Sequence, residues 1–264
     1  MEIMKMKMIY ITVLIIICTI LQTGCTCDAV PTEPSATGNG TFALSVNADD
    51  IQTDIVTRST DIDVNAFKVT LKDKDNITLI DQKVLGSLSP TDRTLPAGEG
   101  YKISAESCTA VESTTANEGW GSIRFAGEST FKIVSDETTE VTIDCNMANT
   151  GFQVIFDESF TSKFPQYSAT TQDGRALVFK SSTTDKTAFY NVDENGNAPK
   201  ISLRLIGSKG GFDDRIDYTK EDINLTAGKI TKYTIKYDEN SGDLEIEFET
   251  NTGTNTEDND VTVQ

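Results

Sequence analysis

The 264-residue chain contains no histidine. That absence removes the commonest general base, the usual Ser-His-Asp triad and every imidazole metal ligand. Five cysteines occur and none forms a C-x-x-C pair, so the sequence offers no structural zinc motif. Basic side chains are scarce, 23 against 41 acidic ones, which sets the formal net charge at −18. A field of that sign repels nucleic acid and anionic lipid headgroups while keeping an exported protein soluble. No long segment carries a helical apolar stripe, and only one tryptophan is present. Carboxylates are so numerous that a pair suited to glycoside hydrolysis, which must sit about 5 to 9 Å apart in a cleft, cannot be singled out. These absences argue against an enzyme, a cofactor and a nucleic-acid partner.

What is present begins at the N-terminus. Lys5 and Lys7 precede an apolar run from Ile9 to Leu21, which ends in Gln22-Thr23-Gly24-Cys25. A positive start, an apolar centre and a small residue before the cut describe a cleaved export signal. The run is also short for a bilayer span. The segment resembles bacterial lipoprotein signals of the form L-[AST]-[GA]-C, with Thr23 and Gly24 in place and Gln22 where leucine is usual. Cys25 is then the lipid-accepting residue. Cys27, preceded by Thr26, is the rival, and an ordinary cleaved signal with incidental cysteines is the other alternative. Each buried methylene of an acyl chain contributes about 0.8 kcal/mol, so two or three chains on Cys25 make a stable anchor.

The expected organisation is a signal peptide over 1–24, a flexible tether over 25–39 and two tandem β-sandwich domains over 40–148 and 149–249. An acidic, disordered tail over 250–264 completes it. The tether is rich in Pro, Thr, Ser and Gly. The sandwiches are read from period-two alternation: Phe42, Leu44, Val46; Phe67, Val69, Leu71; Ile77, Leu79; Tyr101, Ile103, Ala105; Phe131, Ile133; Val141, Ile143, Cys145. The pattern restarts with Phe152, Val154, Phe156 and runs through Leu177, Phe179, then Ile201, Leu203, Leu205, then Ile223, Leu225, then Tyr233, Ile235, Tyr237, then Leu244, Ile246, Phe248. A short helical turn is expected within 157–164, where DESFTSKF offers an acidic start. Each block opens with a glycine and an aromatic-led strand (Gly40-Thr41-Phe42, Gly151-Phe152), and each carries L-x-A-G (Leu95 to Gly98, Leu225 to Gly228), a loose internal duplication. The tail has no apolar side chain from 250 to 260, whereas Val261-Thr262-Val263-Gln264 regains a strand-like pattern.

Few residues carry chemistry. Cys108 and Cys145 end two expected strands of one domain, and an exported compartment permits a disulfide between them; two buried thiols are the alternative. Trp120, in Glu118-Gly119-Trp120-Gly121, is either an exposed platform stacking on a sugar ring or a plug in a sandwich core. Asn191 to Gly196 spaces oxygens like the first half of an EF-hand loop, but Ser202 stands at position twelve, so a polar turn is expected. Asp213-Asp214 after Gly210-Gly211 reads as a turn as well. Arg58, in a polar stretch, is an accessible site for a basic-specific protease or an ordinary surface arginine.

The order QTGC, tether, GTFALSV, VTRST, NAFKVTL, LPAGEGYKISAES and GESTFKIVSDETTEVTIDCNMAN resembles Bacteroides-type surface lipoproteins of unknown function. Its layout is similar to that of fimbrillin-like (type V pilus) proteins, over most of residues 25–249. That resemblance implies an outer-membrane, lipid-anchored protein at the cell surface. Its partners would be the membrane through the lipid, and other surface or fimbrial proteins, or glycans. It further implies a cut after Arg58, removal of the strand over 40–48 and acceptance of a strand from another subunit, with a C-terminal segment as donor. Such strand addition uses main-chain hydrogen bonds for affinity and alternate side chains for register. A glycan-binding accessory lipoprotein using Trp120 is the second function the sequence suggests.

Overall fold

The computed structural model describes residues 38–48, 62–183, 185–209 and 215–238 in full, and the backbone of 244–250 and 257–259. The chain is all-β. The first half carries β1 (Asn39–Asn47), β2 (Lys68–Lys72), β3 (Thr78–Val84), β4 (Thr94–Pro96), β5 (Gly98–Glu106), β6 (Phe125–Ile133), β7 (Thr138–Asp144) and β8 (Asn146–Met147). The second carries β9 (Asn149–Phe156), β10 (Gln166–Thr171), β11 (Val178–Phe179), β12 (Ala188–Asn191), β13 (Lys200–Ser208), β14 (Arg215–Asn224), β15 (Ile230–Tyr237), β16 (Leu244–Thr250) and β17 (Glu257–Asn259). Among the described residues two short α-helices, α1 (Glu112–Thr115) and α2 (Glu158–Lys163), and a few single 3-10 turns interrupt them.

The described strands form four sheets, in the orders β4-β1-β7, β3-β2-β5-β6-β8, β11-β10-β13-β14 and β12-β9-β15-β16-β17. The first two sheets share one core. Phe42 and Val46 of β1 with Val141 and Ile143 of β7 meet Val69 and Leu71 of β2 and Ile103 of β5. The other two share a second, in which Phe152, Val154, Tyr233 and Ile235 meet Phe179, Leu203, Leu205 and Ile223. Two sheets closing face to face on alternating inward residues is the sandwich solution to burying one apolar face per sheet.

The loose duplication has a structural counterpart. In each half the opening strand lies parallel to a strand near the end of that half, β1 with β7 and β9 with β15. The leading glycines are required by close approach. At Gly40 an added Cβ would meet the carbonyl oxygen of Val134, and at Gly151 it would lie 2.8 Å from Ile230 Cγ1. The helical turn over 157–164 forms as α2, whose first turn is capped by Asp157 accepting from the Ser159 N–H.

Two elements differ from the alternation. Ile77 and Leu79 were expected inward, yet they are 60% and 44% exposed while Ile80 is buried. The β2–β3 register shifts between Leu71 and Lys72, and Asn76 takes a positive φ of 61° in the preceding turn, which reverses the phase of β3. In the stretch expected to be disordered, Glu257–Asn259 pairs with Ile246 to Phe248 at the edge of β16. Strand addition at an edge rests on main-chain bonds and needs no apolar side chain.

Candidate functional site

The candidate site among the described residues is the place occupied by β1. β1 lies between two strands, antiparallel to β4 over Asn39 to Thr41 and parallel to β7 over Thr41 to Asn47. Its alternation puts Phe42 and Val46 into the first core, with Phe42 only 1% exposed and its ring 5.5 Å from that of Phe131. Leu44, between them, is half-buried against the same core. β4 and β7 do not pair with each other, so β1 fills a slot whose floor is apolar and whose walls are main chain.

The other face of β1 carries a polar ladder. Thr41 Oγ1 lies 2.8 Å from Thr138 Oγ1, Ser45 Oγ lies 3.0 Å from Thr142 Oγ1, and Asn47 Nδ2 donates to Asp144 Oδ1 at 2.8 Å. In a parallel pair a one-residue slip would turn every one of these side chains to the wrong face, so the ladder pins the register that the core side chains also demand. Thr138, Thr142 and Asp144 were not singled out in the sequence. A signal exists, because Leu44-Ser45-Val46-Asn47 and Val141-Thr142-Ile143-Asp144 share one order of apolar and hydrogen-bonding residues.

Of the residues proposed from sequence, those that are described occupy separate environments, Cys145 in the first core and Trp120 in the second. Cys25 and Arg58 lie outside the described residues. The disulfide weighed between Cys108 and Cys145 does not form, and both thiols are free. They turn to different carbonyls: Cys145 Sγ lies 3.6 Å from Ala105 O inside the first core, and Cys108 Sγ lies 3.7 Å from Ile123 O near its rim. Burial, with the neighbouring Asp144 charge, pushes the Cys145 thiol up to about 11, which makes it an inert core residue. Trp120 is 8% exposed and sits in the second core, edge-on to Phe179 with ring centroids 5.0 Å apart. The glycan-stacking platform is therefore corrected to a core plug: the apolar face a sugar would need is already covered. At the EF-hand-like segment, Asp193 Oδ1 accepts from the Asn195 and Asn197 N–H groups, a local turn.

Trp120 belongs to an excursion, residues 107–124, between β5 and β6 of the first sandwich. Its base is closed by the Ser107 N–H donating to Phe125 O at 2.9 Å. Its middle is held by the second half. Arg175 Nη1 donates to Gly119 O (3.2 Å) and Phe189 O (2.8 Å), while its Nε pairs with Asp173 at 3.2 Å and its guanidinium lies 3.9 Å over the Tyr190 ring. The Phe189 N–H donates to Trp120 O at 2.8 Å. Asn191 Nδ2 donates to Ala110 O, and Asn191 Oδ1 accepts from the buried Ser113 hydroxyl. At the far end, buried Asn149 accepts from the Arg124 N–H and donates to Ser122 O.

Electrostatics around the first sandwich give a pH prediction. The hydrogen bond from Lys68 to Glu112 (2.8 Å), with further bonds from Thr109, holds the Glu112 carboxyl down to about 2. Lys83 and Ser89 hold Asp92 at about 2 in the same way. Both carboxyls sit below their ordinary values of 4.5 and 3.8, so the stability they contribute is full above those values and is lost as pH falls towards 2. In melting curves from pH 6 to pH 2, Glu112→Gln and Asp92→Asn are expected to lower Tm at pH 6 and to converge on the wild type at pH 2. A difference that persists unchanged at pH 2 would show that these carboxyls do not act through their charge.

No curated protein matches the chain. Among solved structures it is similar to a fimbrial assembly protein from Parabacteroides distasonis ATCC 8503, at 10% identity over 84% of this chain and 99% of that one, with a TM-score of 0.47. It is also similar to the C-terminally truncated tip fimbrial protein Mfa3 from Porphyromonas gingivalis, at 9% identity over 80% of this chain and 99% of that one, with a TM-score of 0.43. The family described as "Domain of unknown function (DUF4493)" matches residues 38–264, and the chain belongs to that family.

Proposed function

We propose that the chain is a non-enzymatic surface lipoprotein, anchored through Cys25 in the outer membrane, and an adhesion or fimbria-like assembly component in which β1 is a replaceable strand. The carrying observation is the slot between β4 and β7: β1 is its sole occupant among the described residues and supplies Phe42 and Val46 to the core. Loss of that strand strips two edges of their main-chain partners and opens an apolar floor, and a strand of matching alternation restores both. Residues 49–61, which include Arg58, are the chain between β1 and the next described segment. Val261-Thr262-Val263-Gln264 repeats the chemical order of Leu44-Ser45-Val46-Asn47, so a second copy offers side chains suited to Thr142 and Asp144 along four of the nine positions of β1. The histidine-free composition suits this role, since strand addition requires no cofactor or catalytic group.

Arginine-specific proteolysis of the full chain, followed by intact-mass analysis and sizing, tests the reading. The expected result is one early cut after Arg58, departure of the β1 fragment and larger species on the sizing column. Resistance at Arg58, or a cut chain that keeps β1 and stays monomeric, overturns it. Glycan binding through Trp120 is not retained, because the indole lies in the core.

A further inference from the structure

The excursion over 107–124 leaves the first sandwich, contributes to the second and returns. Its tryptophan is counted among the side chains of the second core, although every strand of that core's two sheets comes from Asn149 onward. The second core is thus completed by a residue from the first half. The polar contacts point the same way. Four main-chain carbonyls of the excursion, those of Ala110, Gly119, Trp120 and Ser122, accept from Asn191, Arg175, Phe189 and Asn149 respectively. Arg175 is itself fixed on two sides, by Asp173 and by the Tyr190 ring, so its fork is held in place before it reaches Gly119.

From this geometry we infer that residues 107–124 form a clasp that makes the two sandwiches one cooperative unit, with Arg175 and Asn191 as the residues that close it. Tandem domains joined only by a short connection ordinarily move and open independently. Here the second core cannot lose the excursion without losing the indole against Phe179, and the excursion cannot leave without stranding the buried Asn149 side chain, whose partners are the Arg124 N–H and Ser122 O. Opening of either half therefore opens the other. The inference stands apart from the strand-replacement reading, because it concerns contacts that β1 does not make.

Native-state hydrogen exchange on the full chain, followed by mass spectrometry of peptides, reads this directly. Exchange reports the free energy of each opening unit segment by segment. In the wild type, the slowest amides of β5 and β6 in the first core and of β13 and β15 in the second are expected to exchange with one common rate and one common urea dependence. In Arg175→Ala/Asn191→Ala, exchange in β13 and β15 is expected to rise about 10- to 100-fold, while β5 and β6 keep their own slower rate. Should that double variant yield no protected amides, Asn191→Ala alone is the variant to read, with the same divergence at smaller amplitude. Distinct rates for the two cores in the wild type overturn the inference. So does an unchanged common rate, or an equal rise in both cores, in the variant that folds.

Discussion

Replacing Phe42 with alanine is expected to lower the unfolding free energy by about 3 to 5 kcal/mol, the range for removing a buried aromatic ring from a close-packed core. Phe42 is 1% exposed, and its ring touches that of Phe131, which in turn stands 5.7 Å from Tyr101. The ring therefore joins β1 to both β5 and β6 across the sandwich. Little relaxation is available, because the backbone of β1 is bonded on both sides by β4 and β7 and cannot slide to fill the void. Ser45→Ala, on the solvent face of the same strand, removes one hydroxyl contact to Thr142 and is expected to cost about 0.5 to 1 kcal/mol. Urea titration of both variants checks the contrast. A Phe42→Ala chain within about 1 kcal/mol of the wild type would show that β1 is not seated in the core in solution.

Gly121→Ala is the second large effect. Gly121 has a φ of +82°, and an added Cβ would meet the Ser113 carbonyl oxygen and lie 3.0 Å from Phe189 Cβ. Gly174 shares the conformation, with φ of +86°, but nothing lies within 4 Å of where its Cβ would go. Alanine at Gly174 thus bears only the backbone cost, about 1 to 2 kcal/mol for a left-handed residue. Alanine at Gly121 bears that cost and also forces apart α1 and β12, beside the buried Trp120. About 3 kcal/mol or more is expected, enough to rank with loss of a core ring. Matched thermal and urea unfolding of the two variants gives the comparison, and equal losses would mean that the approach at Gly121 is looser than the geometry states.

Much of the fold was legible because alternation survives wherever a strand has one wet and one dry face. Val69, Leu71, Ile103, Val154, Leu203 and Leu205 all stand in such runs, and all are buried. The same rule misplaced Ile77 and Leu79, since a bulge changes phase without changing composition. It also passed over β10 and β12, where Gln166–Thr171 and Ala188–Asn191 are short and partly polar and owe their conformation to neighbours in the sheet. The candidate site was half visible. The strand over Phe42 to Val46 announces itself, whereas its slot depends on β4 and β7, which lie about 50 and 100 residues further along the chain. Trp120 was ambiguous for the same reason, as its environment is made by Phe179 and Lys186, contacts that no local pattern reveals. Arg175 did not stand out, because one arginine in a polar stretch looks like any other until its partners are known, and Asn191 drew notice only as the first oxygen of the EF-hand-like segment, not for its bonds to Ala110 and Ser113.

The parallel ladder between β1 and β7 joins residues 97 positions apart, as in Thr41 with Thr138 and Asn47 with Asp144. Closing so large a loop costs entropy that local hairpins do not incur, and contacts of that separation slow folding. β1, the first strand of its sandwich to be synthesised, can therefore be secured only after β7, near the end of that sandwich, has left the ribosome. During that interval Phe42, Leu44 and Val46 remain uncovered, an apolar segment that a chaperone would have reason to hold.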